Sequence, residues 1–171
     1  MLNTLRCTTI ALTFASFAFA QSPATTESKT INGKTVSIAY ASHRVNGRAG
    51  KLFGAEGQIG KDRNYPVWRA GANSATKLHT DGELDLGGLT VPAGDYTLYV
   101  DLTTPDQWTL IVNKKTGQWG LSYDKTADVG RVKMKMSKPA AMAENLKYTL
   151  TDSSLALEWE NLSGTVSLKV K

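Results

Sequence analysis

The sequence predicts an all-β protein built as a single antiparallel β-sandwich, with a jelly-roll-like or partly closed barrel as the competing architecture. Three observations carry that expectation. Apolar residues recur with a period of two through most of the chain. Short apolar runs are separated at regular spacing by Gly, Pro and Asn. No window sustains the 3.6-residue period of a long helix. Residues 31–171 read as one domain, with no internal repeat and no shift of composition.

The N-terminus reads as an address. Arg6 is the only charge among the first twenty residues, and Ile10 begins an apolar run that closes on Ala18-Phe19-Ala20. That is the layout of a signal peptide over residues 1–20, cleaved before Gln21. The run is too short to cross a bilayer, which takes about 20 apolar residues, and no later segment could span a membrane instead. Cys7 precedes the apolar run and follows Arg6, so it does not occupy a lipid-attachment position. The mature chain then has no cysteine, which excludes thiol catalysis and thiolate ligation and leaves the fold to its core alone. The expected location is exported, periplasmic or secreted.

Residues 21–30 are polar and aperiodic, a flexible leader. Asn32-Gly33 between Ile31 and Thr35 is a two-residue hairpin signal, because both residues tolerate positive φ. Leu84 to Leu86 and Leu89 to Val91 flank Gly87-Gly88 in the same way. Pro92-Ala93-Gly94 turns into a strand in which Leu98, Val100 and Leu102 share a face. Trp108, Leu110 and Val112 share the next face, although Ile111 makes that strand apolar on both sides. Alternation returns in Val132/Met134/Met136, Leu146/Tyr148/Leu150, Leu155/Leu157/Trp159 and Val166/Leu168/Val170. Residues 139–145 could form at most one or two helical turns.

Without Arg6 the 20 basic side chains become 19 against 15 acidic, a net +4, dispersed apart from Lys133, Lys135 and Lys138. A mild, dispersed excess implies weak attraction to anionic surfaces and no nucleic-acid partner. The irregular part is residues 41–64, where Gly47, Gly50, Gly54, Gly57 and Gly60 lie among charged residues. So long a connection inside a compact β domain is more often functional or mobile than a mere link. It leads directly into Trp68-Arg69-Ala70-Gly71-Ala72-Asn73-Ser74-Ala75-Thr76.

These residues support a comparison. Gly47-Arg48, Leu52-Phe53-Gly54, the segment from Trp68 to Thr76, Pro92-Ala93-Gly94-x-Tyr96-x-Leu98, Trp108 with Asn113, Trp119-Gly120, Tyr123-Asp124 and Leu157-Glu158-Trp159-Glu160 recur in this order. The chain resembles the bacterial family called domain of unknown function 2911 over nearly its whole mature length. The resemblance implies an exported domain and no established reaction. Family members usually place a Pro-Tyr-Gly turn before the Trp-Arg pair, whereas this chain has Tyr65-Pro66 after an expanded stretch. Many members carry Glu where this chain has Ser74, so chemistry resting on that carboxylate would be lost here.

The candidate ligand-binding residues are Arg48, Trp68, Arg69 and Asn73. A guanidinium recognises carboxylate or phosphate through two parallel hydrogen bonds, an indole offers a stacking face, and an amide orients a carbonyl or hydroxyl. The structural alternative is that Arg69 and Asn73 satisfy backbone groups in a loop while Trp68 packs in the core. No metal or other cofactor is expected. His43 and His79 lack acidic or histidine neighbours at ligand spacing, and Met134-x-Met136 with Met142 fits core filling better than copper ligation. No Ser sits in a nucleophile elbow. Asp81, Glu83, Asp85, Asp95, Asp101 and Asp124 could supply a carboxylate pair but mostly read as solvated faces; whether Glu158 and Glu160 are more than a solvated strand face is left open, and Trp108, Trp119 and Trp159 read as core. The leading expectation is a non-catalytic envelope protein that binds a small ligand, glycan or protein partner through residues 41–76. A secreted hydrolase using carboxylates in a cleft is the alternative, and catalysis and oligomeric state are left open.

Overall fold

The computed structural model describes Ser22, residues 24–104 and residues 106–171. The segment read as a signal peptide, Cys7 included, lies outside the described residues. The strands in chain order are β1 (Ala24–Ile31), β2 (Lys34–Ala41), β3 (Val67–Trp68), β4 (Thr76–Thr80), β5 (Leu84–Leu86), β6 (Leu89–Val91), β7 (Gly94–Thr104), β8 (Gln107–Asn113), β9 (Asp128–Lys133), β10 (Lys135–Ser137), β11 (Ala143–Leu150), β12 (Ser154–Glu160) and β13 (Leu162–Val170). They form two antiparallel sheets, neither closed into a barrel: a β-sandwich. The first runs β1-β2-β4-β7-β8-β9 with β3 also on β7; the second runs β11-β12-β13-β5-β6 with β10 on β13.

The hairpin signals translate directly into structure. Asn32 and Gly33 both take positive φ, +53° and +74°, and reverse β1 onto β2. The ladder then runs from Ile31↔Lys34 to Ala24↔Ala41. Residues 24–30, expected in the leader, are therefore strand. Their polarity hid this, because a ladder is made by backbone groups and an edge strand facing water needs no apolar side chains. Residues 139–145 contain no helix; short 3₁₀ turns occur instead at Ile59–Lys61 and Lys125–Ala127.

Period-two alternation sends Val36, Ile38, Leu78, Leu98, Val100, Leu110 and Val112 inward from the first sheet. Leu146, Tyr148, Leu155, Leu157, Val166 and Leu168 meet them from the second. At one end the core becomes aromatic. Trp68 stacks on Trp159 at 5.6 Å, meets Trp108 at 5.9 Å, and is met edge-on by Phe53 at 5.8 Å. Offset and edge-on pairs of this kind contribute about 0.5–1.5 kcal/mol beyond the area they bury. Met134 is fully buried and Met136 packs on the same core, as expected, whereas Met142 is exposed and fills no core.

A second, smaller cluster lies on the opposite face of the first sheet. Tyr99 and Ile111 pair across β7 and β8 and are buried there with Ala75 under Tyr123. This explains why Ile111 breaks the alternation of β8: its outer face is covered too. The cover is residues 114–127, a flap that gives part of this sheet a third layer.

Candidate functional site

The segment from Trp68 to Thr76 is a loop let out of a strand. Trp68 pairs with Val100 and Thr76 with Leu98, so seven residues, 69–75, stand opposite the single Tyr99. Positive φ at Ala70 and Asn73, +47° and +60°, folds the surplus outward. Its backbone is then tied down. The Ala70 carbonyl accepts from Tyr148 Oη at 3.0 Å and Thr76 Oγ1 at 3.1 Å, and the Ala72 amide donates to Ala41 at 2.9 Å. The far side of the loop pairs with the flap. A single antiparallel β-bridge sets Ser74 opposite Trp119, and the Gly120 amide donates to the Asn73 carbonyl at 3.1 Å.

That pairing fixes which way the flap residues point. Gln118 turns toward the sheet, where its amide donates to Tyr99 Oη at 3.0 Å. Trp119, one residue on, turns the other way and is 54 % exposed. Gly120 admits no side chain, because a Cβ would fall 2.8 Å from the Asn73 carbonyl and against the stem of Arg69. The flap is clamped at its far end. Asn113 Nδ2 donates to the Asp124 carbonyl and to Asp128 Oδ1, both at 2.8 Å. Tyr123 Oη donates to Asp128 Oδ2 at 2.7 Å, and Arg131 joins that carboxylate to Asp101. Burial and the neighbouring Asp128 push the Tyr123 phenol well above its usual range, so it stays protonated and donating. Burial raises the Asp101 carboxyl, but hydrogen bonds from Thr103 and the Arg131 charge win and hold it below the ordinary carboxylate value.

Beside Trp119 lies a groove of about 370 Å³, whose lining includes Thr26, Ala39, Ala41, Asn73, Ser74 and Lys77. Its floor is hollow for a simple reason. Ala24 and Ala41, then Thr26 and Ala39, are ladder partners on the outward face of β1 and β2. Small side chains there leave the pleat uncovered between the flap and the sheet edge. The Asn73 amide makes no hydrogen bond to the described residues and is free to meet a ligand.

The four candidate residues go to different places. Asn73 lines this groove. Arg69 lies beside it: its stem packs on Gly120, and Nε donates to the Gly71 carbonyl at 3.2 Å. Trp68 is 2 % exposed, and its stacking face is occupied by Trp159. Arg48 stands apart in the 41–64 lobe, where it donates to the carbonyls of Val45 at 2.8 Å and Arg44 at 2.6 Å and to the Gln58 amide oxygen. Arg69 and His43 line a small, partly open cavity of about 30 Å³, room for a single water. His43 stacks on Trp159 at 5.3 Å. Burial, then the Arg48 and Arg69 charges, hold its pKa below the ordinary 6.5, so it is neutral.

Two expectations are corrected and one open question is answered. Trp119 is not core. Glu160, left open, is not on a solvated face: it is 6 % exposed and its carboxylate accepts from the Gly50 amide. His79 does have acidic neighbours, with Nδ1 2.8 Å from Asp95 and Nε2 3.1 Å from Asp81, although no group suited to a metal occurs among the described residues. The strand register brings Asp95 opposite His79, which linear spacing does not show. The signal that could have exposed Trp119 is its context: in residues 114–120 it is the only apolar side chain.

The other carboxylates that the sequence singled out are each engaged. Glu83 pairs with Lys171 at 2.8 Å, Asp85 accepts from the Gly88 amide at 2.7 Å, and Asp124 caps the turn at Thr126. Of the grooves described, none is lined by two carboxylates.

With the geometry in place, comparison decides the relationship. The family model described as protein of unknown function, DUF2911, matches residues 22–168. The chain belongs to that family. No curated protein and no solved structure matches it. The match begins within the polar segment that precedes the Asn32-Gly33 turn, consistent with β1 being part of the DUF2911 domain.

Proposed function

We propose that this protein is a non-catalytic, exported binding module that holds a glycan in the groove beside Trp119. The observation that carries the reading is an indole exposed to solvent yet mounted on a flap clamped at both ends. An exposed indole on a mobile loop would lose entropy on binding; one fixed in place presents its face at little further cost. The apolar C–H face of a pyranose ring suits that surface. Asn73, Ser74, Thr26 and Lys77 supply the donors and acceptors that hydroxyl groups need. Export rests on the apolar segment of residues 1–20. The commitment of the candidate carboxylates Asp81, Glu83, Asp85, Asp95, Asp101 and Asp124 to local partners supports binding over carboxylate-based hydrolysis.

Trp119 is the one indole of four exposed to solvent, so it can be followed in the native protein. Titration with oligosaccharides of neutral and N-acetylated hexoses should shield tryptophan fluorescence from acrylamide quenching. Trp119→Ala should abolish both binding and the quenchable fraction while leaving the unfolding midpoint nearly unchanged. Undiminished binding by the folded variant, or no glycan binding by the wild type, overturns the reading.

A further inference from the structure

We propose that the 41–64 lobe carries a second site, independent of the glycan groove, for a small oxyanion bearing two or more negative charges. The site is a groove of about 720 Å³ lined by Arg48, Lys51, Phe53, Glu56, Gln58 and Lys61 among others.

Charge is the first argument. Residues 41–76 hold Arg44, Arg48, Lys51, Lys61, Arg63 and Arg69 against Glu56 and Asp62, a net +4. The rest of the chain beyond residue 20 is balanced, thirteen to thirteen, so this region carries the whole excess, which corrects the expectation of a dispersed charge. Of the described arginines, Arg44 and Arg131 have carboxylate partners. Arg48, Arg63 and Arg69 donate instead to carbonyl, hydroxyl and amide oxygens, which orient a guanidinium without cancelling its charge.

Preorganisation is the second. Three acceptors fix Arg48, which spends three of its five N–H groups and leaves one on each terminal nitrogen. The loop around it is anchored by buried Leu52 and Ile59, by Gln58 N to Lys51 O at 3.0 Å, and by the Glu160 carboxylate on the Gly50 amide. Lys51 and Lys61 then stand on the groove wall with no ion pair among the described residues, and Glu56 is the single carboxylate lining it. A fixed guanidinium lining the same groove as two unpaired ammonium groups matches an anion with several oxygens. Concavity favours a discrete soluble molecule over the plane of a lipid headgroup layer.

The test uses inorganic pyrophosphate and citrate as probes, titrated into the mature protein by calorimetry at low and at physiological salt. Wild type should bind, with affinity falling as salt rises. Lys51→Gln/Lys61→Gln should weaken binding roughly tenfold or more, since two charge-assisted contacts are lost. Lys51→Arg/Lys61→Arg should retain it. The control Lys133→Gln/Lys135→Gln removes two exposed lysines elsewhere and should change nothing. Equal weakening by the control pair would reduce the effect to general charge and overturn the site, as would no binding of either probe. Sedimentation with vesicles containing anionic phospholipid separates the sources. Capture of vesicles with no affinity for the free anions would overturn the small-molecule reading.

Discussion

Trp68 and Trp119 are the two indoles that the functional motifs single out, and the fold treats them oppositely. Trp68 sits on β3, an inward position beside β7, with Trp159 stacked on its face. Trp119 sits in the third layer, where its neighbours Gln118 and Gly120 face the protein and it cannot. The first holds the sandwich together; the second is held by the sandwich and left unused by it. A tryptophan beside an arginine and a glycine therefore says little about role until the layer it occupies is known.

The largest effect that would break this contrast is on stability. Trp68→Ala should cost about 3–5 kcal/mol, as emptying a large aromatic site in a packed core does. Trp119→Ala should stay within about 0.5 kcal/mol, as exposed substitutions do. Urea unfolding of the two variants side by side checks this, and similar losses would make Trp119 structural.

A middle-sized effect sharpens it. Gly120→Ala should destabilise by about 1–3 kcal/mol, the usual range for overpacking, because the new Cβ must displace the Asn73 carbonyl or the Arg69 stem. The flap should then open, seen as faster limited proteolysis within residues 114–127. A variant as stable and protease-resistant as wild type would mean that the flap is not locked at Gly120.

The smallest effect concerns the two histidines, which the fold shifts in opposite directions. Hydrogen bonds to Asp95, then Asp81, raise the pKa of His79 above 6.5, so its contribution is complete below that pH and fades as pH rises through the folded value. Burial lowers the pKa of His43, so its contribution is complete above 6.5 and fades as pH falls through its own depressed value. His79→Asn should therefore flatten the alkaline side of the stability profile and His43→Asn the acidic side. Thermal midpoints measured across neutrality check both signs. His79 is exposed, so its effect should be slight.

Much of the fold was legible because its signals are local. Asn32-Gly33 and Gly87-Gly88 declare their turns, and alternation in β7, β8, β12 and β13 declares which side chains point inward. β1 escaped notice because its partners are backbone groups and its side chains are polar. The candidate site was legible only in part. Asn73 does line the groove, but Trp119, 46 residues beyond it, supplies the exposed face, and Arg69 lines a separate cavity with His43. Arg48 belongs to another concavity, and Glu160 is drawn inward by a loop more than a hundred residues earlier in the chain.

Taken alone, the amino-acid order determined the architecture: period-two patterning and turn chemistry specify antiparallel strands with one buried face, whatever the order in which they pair. It also determined family membership, which resides in motifs. Only the tertiary structure decided which motif residues are spent on packing and which remain for a partner. Burial depends on what a third layer covers, and that is a contact between segments far apart in sequence, invisible to any window along the chain.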